Sequence, residues 1–195
     1  MVCDYLADCR GVFDRDGSQT LYLFIDVKTD GQTTWPAVVE ALEPLREKGW
    51  LTSVNGTTIT KGPVTVVGTG ISTRDNTLIC PGNTPLNQVL EASSRDYFFD
   101  APLGSLNSTF TPSVSPIASG DYALLIGWDG RTTVNDTIRQ KISKIVQQTH
   151  TAGLLTRFWD TPLYPIYARN AVWSALLEQE SDLLNADDLK AASEF

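Results

Sequence analysis

A parallel α/β architecture is what this sequence predicts, and three observations predict it. Apolar strand-like runs alternate with amphipathic helical stretches; the runs are apolar enough to be covered on both faces; several end in a polar or aromatic residue. Counting the alternation gives about six strands, whereas a closed eight-stranded barrel takes about 250 residues. A chain of 195 residues therefore predicts a partial (β/α)8 TIM barrel lacking about the first two strand-helix units. No composition shift marks a boundary, so residues 1–195 read as a single domain.

Taken in order, Met1 to Asp16 has no period and leads into a first strand, Leu21 to Val27. Thr34 as N-cap and Pro36 in the first turn begin a helix carrying Val38, Val39, Leu42 and Leu45 on one face, ending before Gly49. Pro44 is expected to kink or cut it. Asn55-Gly56 between Leu51–Val54 and Thr57–Thr60 signals a hairpin. Pro63 to Val67 reads as the next buried strand, followed by Gly68-Thr69-Gly70 as a flexible turn able to approach a ligand. Ile71 to Gly82 reads as a surface loop, Pro85 to Ala92 as a short helix and Asp96 to Asp100 as a strand.

The Ser/Thr/Pro-rich stretch Asn107 to Ser119 reads as an ordered loop before a strand Tyr122 to Ile126. Arg131 to Ala152 places Val134, Ile138, Ile142, Ile145 and Val146 on one helical stripe with Gly153 as the stop. A strand Leu154 to Trp159 follows, then a helix Pro165 to Gln179 with Ile166, Trp173, Leu176 and Leu177 on its stripe. Asp182 to Asn185 gives the last strand and Asp187 to Glu194 the last helix.

Hydrophobic residues at 42% and charged residues at 19% are those of an ordinary globular domain, neither disordered nor fibrous. A formal charge of −8 without any Lys/Arg cluster argues against nucleic acid, though a lone anionic headgroup remains compatible. No run approaches the roughly 18 apolar residues of a membrane span, and the opening MVCDYLADCR lacks a signal-peptide pattern. Cys3, Cys9 and Cys80 have neither metal-ligand nor disulfide-framework spacing. Sequons at Asn55, Asn107 and Asn135 would suit a secreted protein, and compartment stays open.

Asp26 and Lys28 lie two residues apart where the first strand ends, so they project to the same side. Such a pair holds a metal or a phosphate, or is a plain strand-ending ion pair. Asp100, Trp128 with Asp129, Trp159 with Asp160, and Asn185 also stand at expected strand ends, which in a (β/α) barrel is the face that carries active sites. Asp100 and Asp160 could serve as a glycosidase carboxylate pair. A lysine beside the first aspartate suits phosphate better than sugar, and every Glu falls on or directly beside an expected helix.

QTLYLFIDVKTDG, GPVTVVGTG, YFFDAPL, GLLTRFWDTP and DLLNADDL, in this order, resemble the fungal altered-inheritance-of-mitochondria protein 6 family. That family lies in the phosphatidylinositol-phospholipase-C-like phosphodiesterase superfamily, with the glycerophosphodiesterases and sphingomyelinase D enzymes. The resemblance implies the C-terminal three-quarters of a TIM-barrel phosphoric diester hydrolase acting on a small phosphodiester or phospholipid headgroup with a divalent metal, usually Mg²⁺, and two histidines. It implies Asp26 as metal ligand, Lys28 as phosphate contact, Trp159 as substrate wall and Asn185 as a further substrate contact, with Asp100 and Asp160 as neighbours.

The departures from the family pattern are as informative. Its His-Asn motif, Glu-x-Asp metal pair and second His have no counterpart here, so the isolated chain is expected to be inactive or nearly so. His150, the only histidine, falls near the end of an expected helix, where it complements the helix dipole or caps carbonyls. Deleting Ile71 to Gly82 would restore the family's T-G-N-T-P run, so that segment is either a retained intron beside a missed upstream exon or a true surface insertion. The alternative reading is a non-catalytic phosphate- or lipid-headgroup-binding module, or a fragment.

Overall fold

A computed structural model of the chain describes residues 11–13, 15–28, 31–70, 86–128 and 133–195. The segment Ile71 to Gly82 and Asp129 lie outside these residues. The chain divides into two compact units, the first ending at Asp100 and the second beginning at Ala101.

In the first unit, β1 (Leu21–Val27), β4 (Val64–Gly70) and β6 (Tyr97–Pro102) pair in parallel in the order β1-β4-β6. Between β1 and β4 run α1 (Gly31–Ala41), α2 (Glu43–Glu47) and a small ribbon of β2 (Ser53–Asn55) and β3 (Thr58–Thr60). β2 also pairs antiparallel with β5 (Ser94–Arg95), which follows α3 (Leu86–Glu91). Register sets the faces: Leu23 partners Val66, and Val66 partners Tyr97. That face, with Ile25 and Val27, packs on Trp35, Leu42, Val38 and Leu45. Trp35 is fully buried, edge-on to Tyr97 at 5.5 Å between ring centres, and truncating such a ring costs about 3–5 kcal/mol.

Three expectations are corrected here. α1 starts at Gly31 rather than at a Thr34 cap, leaving Pro36 in its interior, because the buried Trp35 anchors that turn and packing overrides propensity. Pro44 does cut the helix: the chain turns at Leu42 and restarts as α2. In the hairpin Asn55 pairs with Thr58, so the turn is Gly56-Thr57, Gly56 supplying the positive φ of 62°. Gly68, Thr69 and Gly70 form the end of β4 rather than a turn, partnering Ile25, Asp26 and Val27.

In the second unit, β7 (Ile117–Asp121), β8 (Leu155–Trp159) and β9 (Leu183–Leu184) are parallel in that order. α4 (Tyr122–Ile126) and α5 (Asp136–Thr151) join β7 to β8, α6 (Ile166–Glu178) joins β8 to β9, and α7 (Leu189–Ser193) follows. Thr156 and Phe158 are buried on one side of β8, while Leu155, Arg157 and Trp159 stand half-buried on the other. Phe158 meets Tyr122 edge-on at 6.3 Å, and Ile142, Val146, Val172, Trp173 and Leu176 fill the core of this unit.

The expected strand Tyr122 to Ile126 is a helix, and the strand lies just before it, beginning within the last residues of the expected loop. Four to five apolar residues fit either period, and Asp121 decides by accepting a hydrogen bond from the Leu124 amide at 2.9 Å as N-cap. Asn135 caps α5 through the Ile138 amide at 3.0 Å, so that helix starts later than Arg131. On α6 the buried stripe is Ala168, Val172, Ala175 and Leu176 with Trp173, whereas Ile166 and Leu177 are exposed. The cap of α7 is Asp188 rather than Asp187. With these shifts, each unit carries the parallel strand-helix repeat of a partial TIM barrel, the expected α/β class.

Candidate functional site

Asp26 is the penultimate residue of β1, and Lys28 follows the strand's last residue. Lys28 Nζ stands 2.6 Å from Asp26 Oδ2, with the two side chains 72% and 48% exposed. An ion pair this open contributes about 0.5 kcal/mol or less to stability. Register puts Asp26 beside Thr69 and Phe24 beside Val67, and Val67 beside Phe98. Asp100, two residues beyond Phe98 and almost fully buried, lies inside β6 rather than at the expected strand end, and shares the Asp26 face, opposite the Trp35 core. At the end of β4 a Cβ on Gly70 would lie 2.4 Å from the Val27 carbonyl oxygen. The glycine serves close approach of two strands beside the ion pair, not a ligand-binding turn.

The second unit carries its own constellation. Trp159 ends β8 opposite Asp121, and Asn185 directly follows β9. Asp160 is exposed, with a left-handed φ of 54° that turns the chain sharply out of the strand. Arg157 reaches one of the predicted residues: Nη2 donates to Asn185 Oδ1 at 2.5 Å, and Nη1 reaches Ser119 Oγ at 3.4 Å. Motif reading passed over Arg157; a charged residue in a short apolar strand, two positions before Trp159 and so on its face, was the available signal.

His150 is placed elsewhere. Its Nε2 donates to Asp182 Oδ2 at 2.8 Å, and the same oxygen accepts from the Thr156 amide and hydroxyl, both at 2.8 Å. Burial alone would raise the Asp182 carboxyl, but the bonds from His150 and Thr156 outweigh it and hold it below the usual range. Asp182 and Thr156 sit where β9 and β8 begin, whereas Trp159 and Asn185 sit where they end, about 10 Å away at some 3.3 Å per residue.

Among the described residues no group of three or more His, Cys, Asp or Glu side chains could together hold a metal ion, and no helix is long and apolar enough to cross a membrane. Asp26 offers one carboxylate, already paired with a lysine. That donor set does not fit a resident Mg²⁺, which takes near-octahedral oxygen coordination.

Residues 4–77 match the family model of the AIM6-like phosphodiesterase domain. The chain is 42% identical over 190 residues to altered inheritance of mitochondria protein 6 homolog of Arthroderma benhamiae, an alignment covering 95% of this chain and 56% of that protein. It is 30% identical over 204 residues to altered inheritance of mitochondria protein 6 of Eremothecium gossypii, covering 96% of this chain and 49% of the relative. The Lachancea thermotolerans protein of the same name is 28% identical over 197 residues, covering 92% and 45%. The chain thus spans about half the length of the curated relatives it matches. No solved structure matches it. The family resemblance carried by the strand motifs holds.

Proposed function

From a chain that carries the AIM6-like phosphodiesterase signature, we propose a phosphoric-diester-hydrolase-like domain that binds the phosphate of a lipid or glycerophosphodiester headgroup and turns it over poorly or not at all alone. The observation that carries the reading is the Asp26–Lys28 pair, exposed at the end of a parallel strand, where a (β/α) repeat presents its ligand-binding residues. Lys28 supplies a compact, mobile positive charge for a phosphate oxygen, and Asp26 holds that ammonium at the strand end. In the second unit Trp159 offers an apolar wall and Asn185 an amide donor. Asp100 and Asp160 accompany these residues without an assigned step.

Weak turnover follows from proton traffic. Diester cleavage needs a group to take a proton from the nucleophile and one to give a proton to the leaving oxygen. The sole histidine is tied to Asp182 at the opposite end of β8 from Trp159. Magnesium belongs to the proposal only as an ion needing ligands beyond Asp26, and no step is routed through it.

The test is hydrolysis of bis(4-nitrophenyl) phosphate with and without Mg²⁺, beside titration with glycerophosphocholine, for the wild type, Asp26→Ala and Lys28→Met. The expected result is binding without turnover, with affinity falling about tenfold in Lys28→Met, the worth of one charge-assisted bond of about 1.4 kcal/mol. Turnover abolished by Asp26→Ala would show that the chain is catalytically complete. Absence of any binding would remove the phosphate reading.

A further inference from the structure

The hydrogen bond between Arg157 and Asn185 settles which way round the Asn185 amide stands. A guanidinium carries only donors, so the amide end that meets Nη2 at 2.5 Å must be the Oδ1 acceptor. The two Nδ2–H donors then point away from Arg157, and among the described residues Nδ2 meets no acceptor. Register supports the arrangement: Arg157 partners Ser119 on one side and Leu183 on the other, and Asn185, two residues past Leu183, lies on the same face. From the middle strand, one planar fork reaches a side chain of β7 and the side chain that directly follows β9. A lysine, with a single point charge, could hold only one of them.

We propose that Arg157 is a positioning residue: it fixes the amide of Asn185 with the donor end outward, ready for an anionic oxygen of a phosphodiester. The inference rests on the phosphate reading of the strand ends and deepens it. A free asparagine amide presents its oxygen and its nitrogen in turn, and the oxygen end repels phosphate. Arg157 removes the wrong orientation before the ligand arrives, which is affinity gained by preorganisation.

Titration of the full chain with glycerophosphocholine, followed by tryptophan fluorescence and by the side-chain amide NMR signals of Asn185, tests this. Arg157→Met is expected to weaken binding about tenfold, with Asn185→Ala adding little in that background, and Arg157→Lys to restore part of the loss. The Asn185 Nδ2 signals of the wild type are expected to shift on titration. Wild-type binding that Arg157→Met leaves intact, or that the two substitutions reduce independently, overturns the inference alone. Should Arg157→Met fail to fold, unmoved Asn185 amide signals in saturated wild type overturn it as well. Wild type that binds neither glycerophosphocholine nor inorganic phosphate overturns the phosphate reading and the inference with it.

Discussion

Replacing Asp182 by alanine removes the acceptor of three hydrogen bonds, each 2.8 Å long, from the Thr156 amide, the Thr156 hydroxyl and His150 Nε2. Thr156 is fully buried, so its amide is left unsatisfied, a loss of about 1–3 kcal/mol. Its hydroxyl keeps Ser181 Oγ at 3.3 Å and the amide of residue 182 at 3.1 Å, which limits that part of the loss. The half-exposed His150 bond adds about 0.5 kcal/mol. The total is about 1.5–3.5 kcal/mol, or about 3–14 °C in Tm for a chain of this size. Asp182→Asn keeps one acceptor oxygen and should lose about half as much.

The pH dependence carries a definite sign. Because the folded state holds the Asp182 carboxyl below its ordinary value near 4, its contribution is full above about pH 4 and fades as pH falls through the lowered value. Denaturant unfolding of wild type and Asp182→Ala should therefore show a clear gap at pH 7, and the gap should narrow below about pH 4. A gap under about 0.5 kcal/mol at pH 7, or one that persists undiminished at pH 3, would refute the reasoning.

Tyr122 is fully buried, its hydroxyl has no hydrogen-bond partner among the described residues, and burial pushes it up to about 12. Tyr122→Phe keeps the edge-on contact with Phe158, so calorimetry should find it neutral or up to about 1 kcal/mol more stable. A loss above about 1 kcal/mol would mean that the hydroxyl has an unseen partner. Gly70→Ala drives a Cβ against the Val27 carbonyl and should cost about 1–3 kcal/mol, read as a lower urea midpoint at unchanged slope.

Long, one-sided patterns were the legible part of the sequence. α5 shows its 3.6-residue period through Ile142 and Val146, and β1 announces itself by an apolar run ending in Asp26. Short elements were not, and for physical reasons. Tyr122 to Ile126 is too short for period to separate strand from helix, and only the Asp121 cap decides. Gly68-Thr69-Gly70 looks like a turn until register puts it beside Ile25, Asp26 and Val27. Asp26 with Lys28, and Trp159 with Asn185, were legible as strand ends. Arg157 gains its meaning only from its neighbours across strands, which no local motif encodes.

The junction of β7 and α4 has no slack. Asp121 is the last residue of the strand, stands in register with Trp159, and caps the helix that begins at the next position. In a (β/α) repeat the segment after each strand is where chain length varies and new specificities are built. Here that freedom is zero: one inserted residue would rotate the helix by about 100° and turn its buried side to solvent. The connection after β8, from Asp160 to Pro165, does have spare length. Any reshaping of the mouth around Trp159 by loop grafting therefore has its room there, and the edge formed by Asp121 acts as the fixed wall.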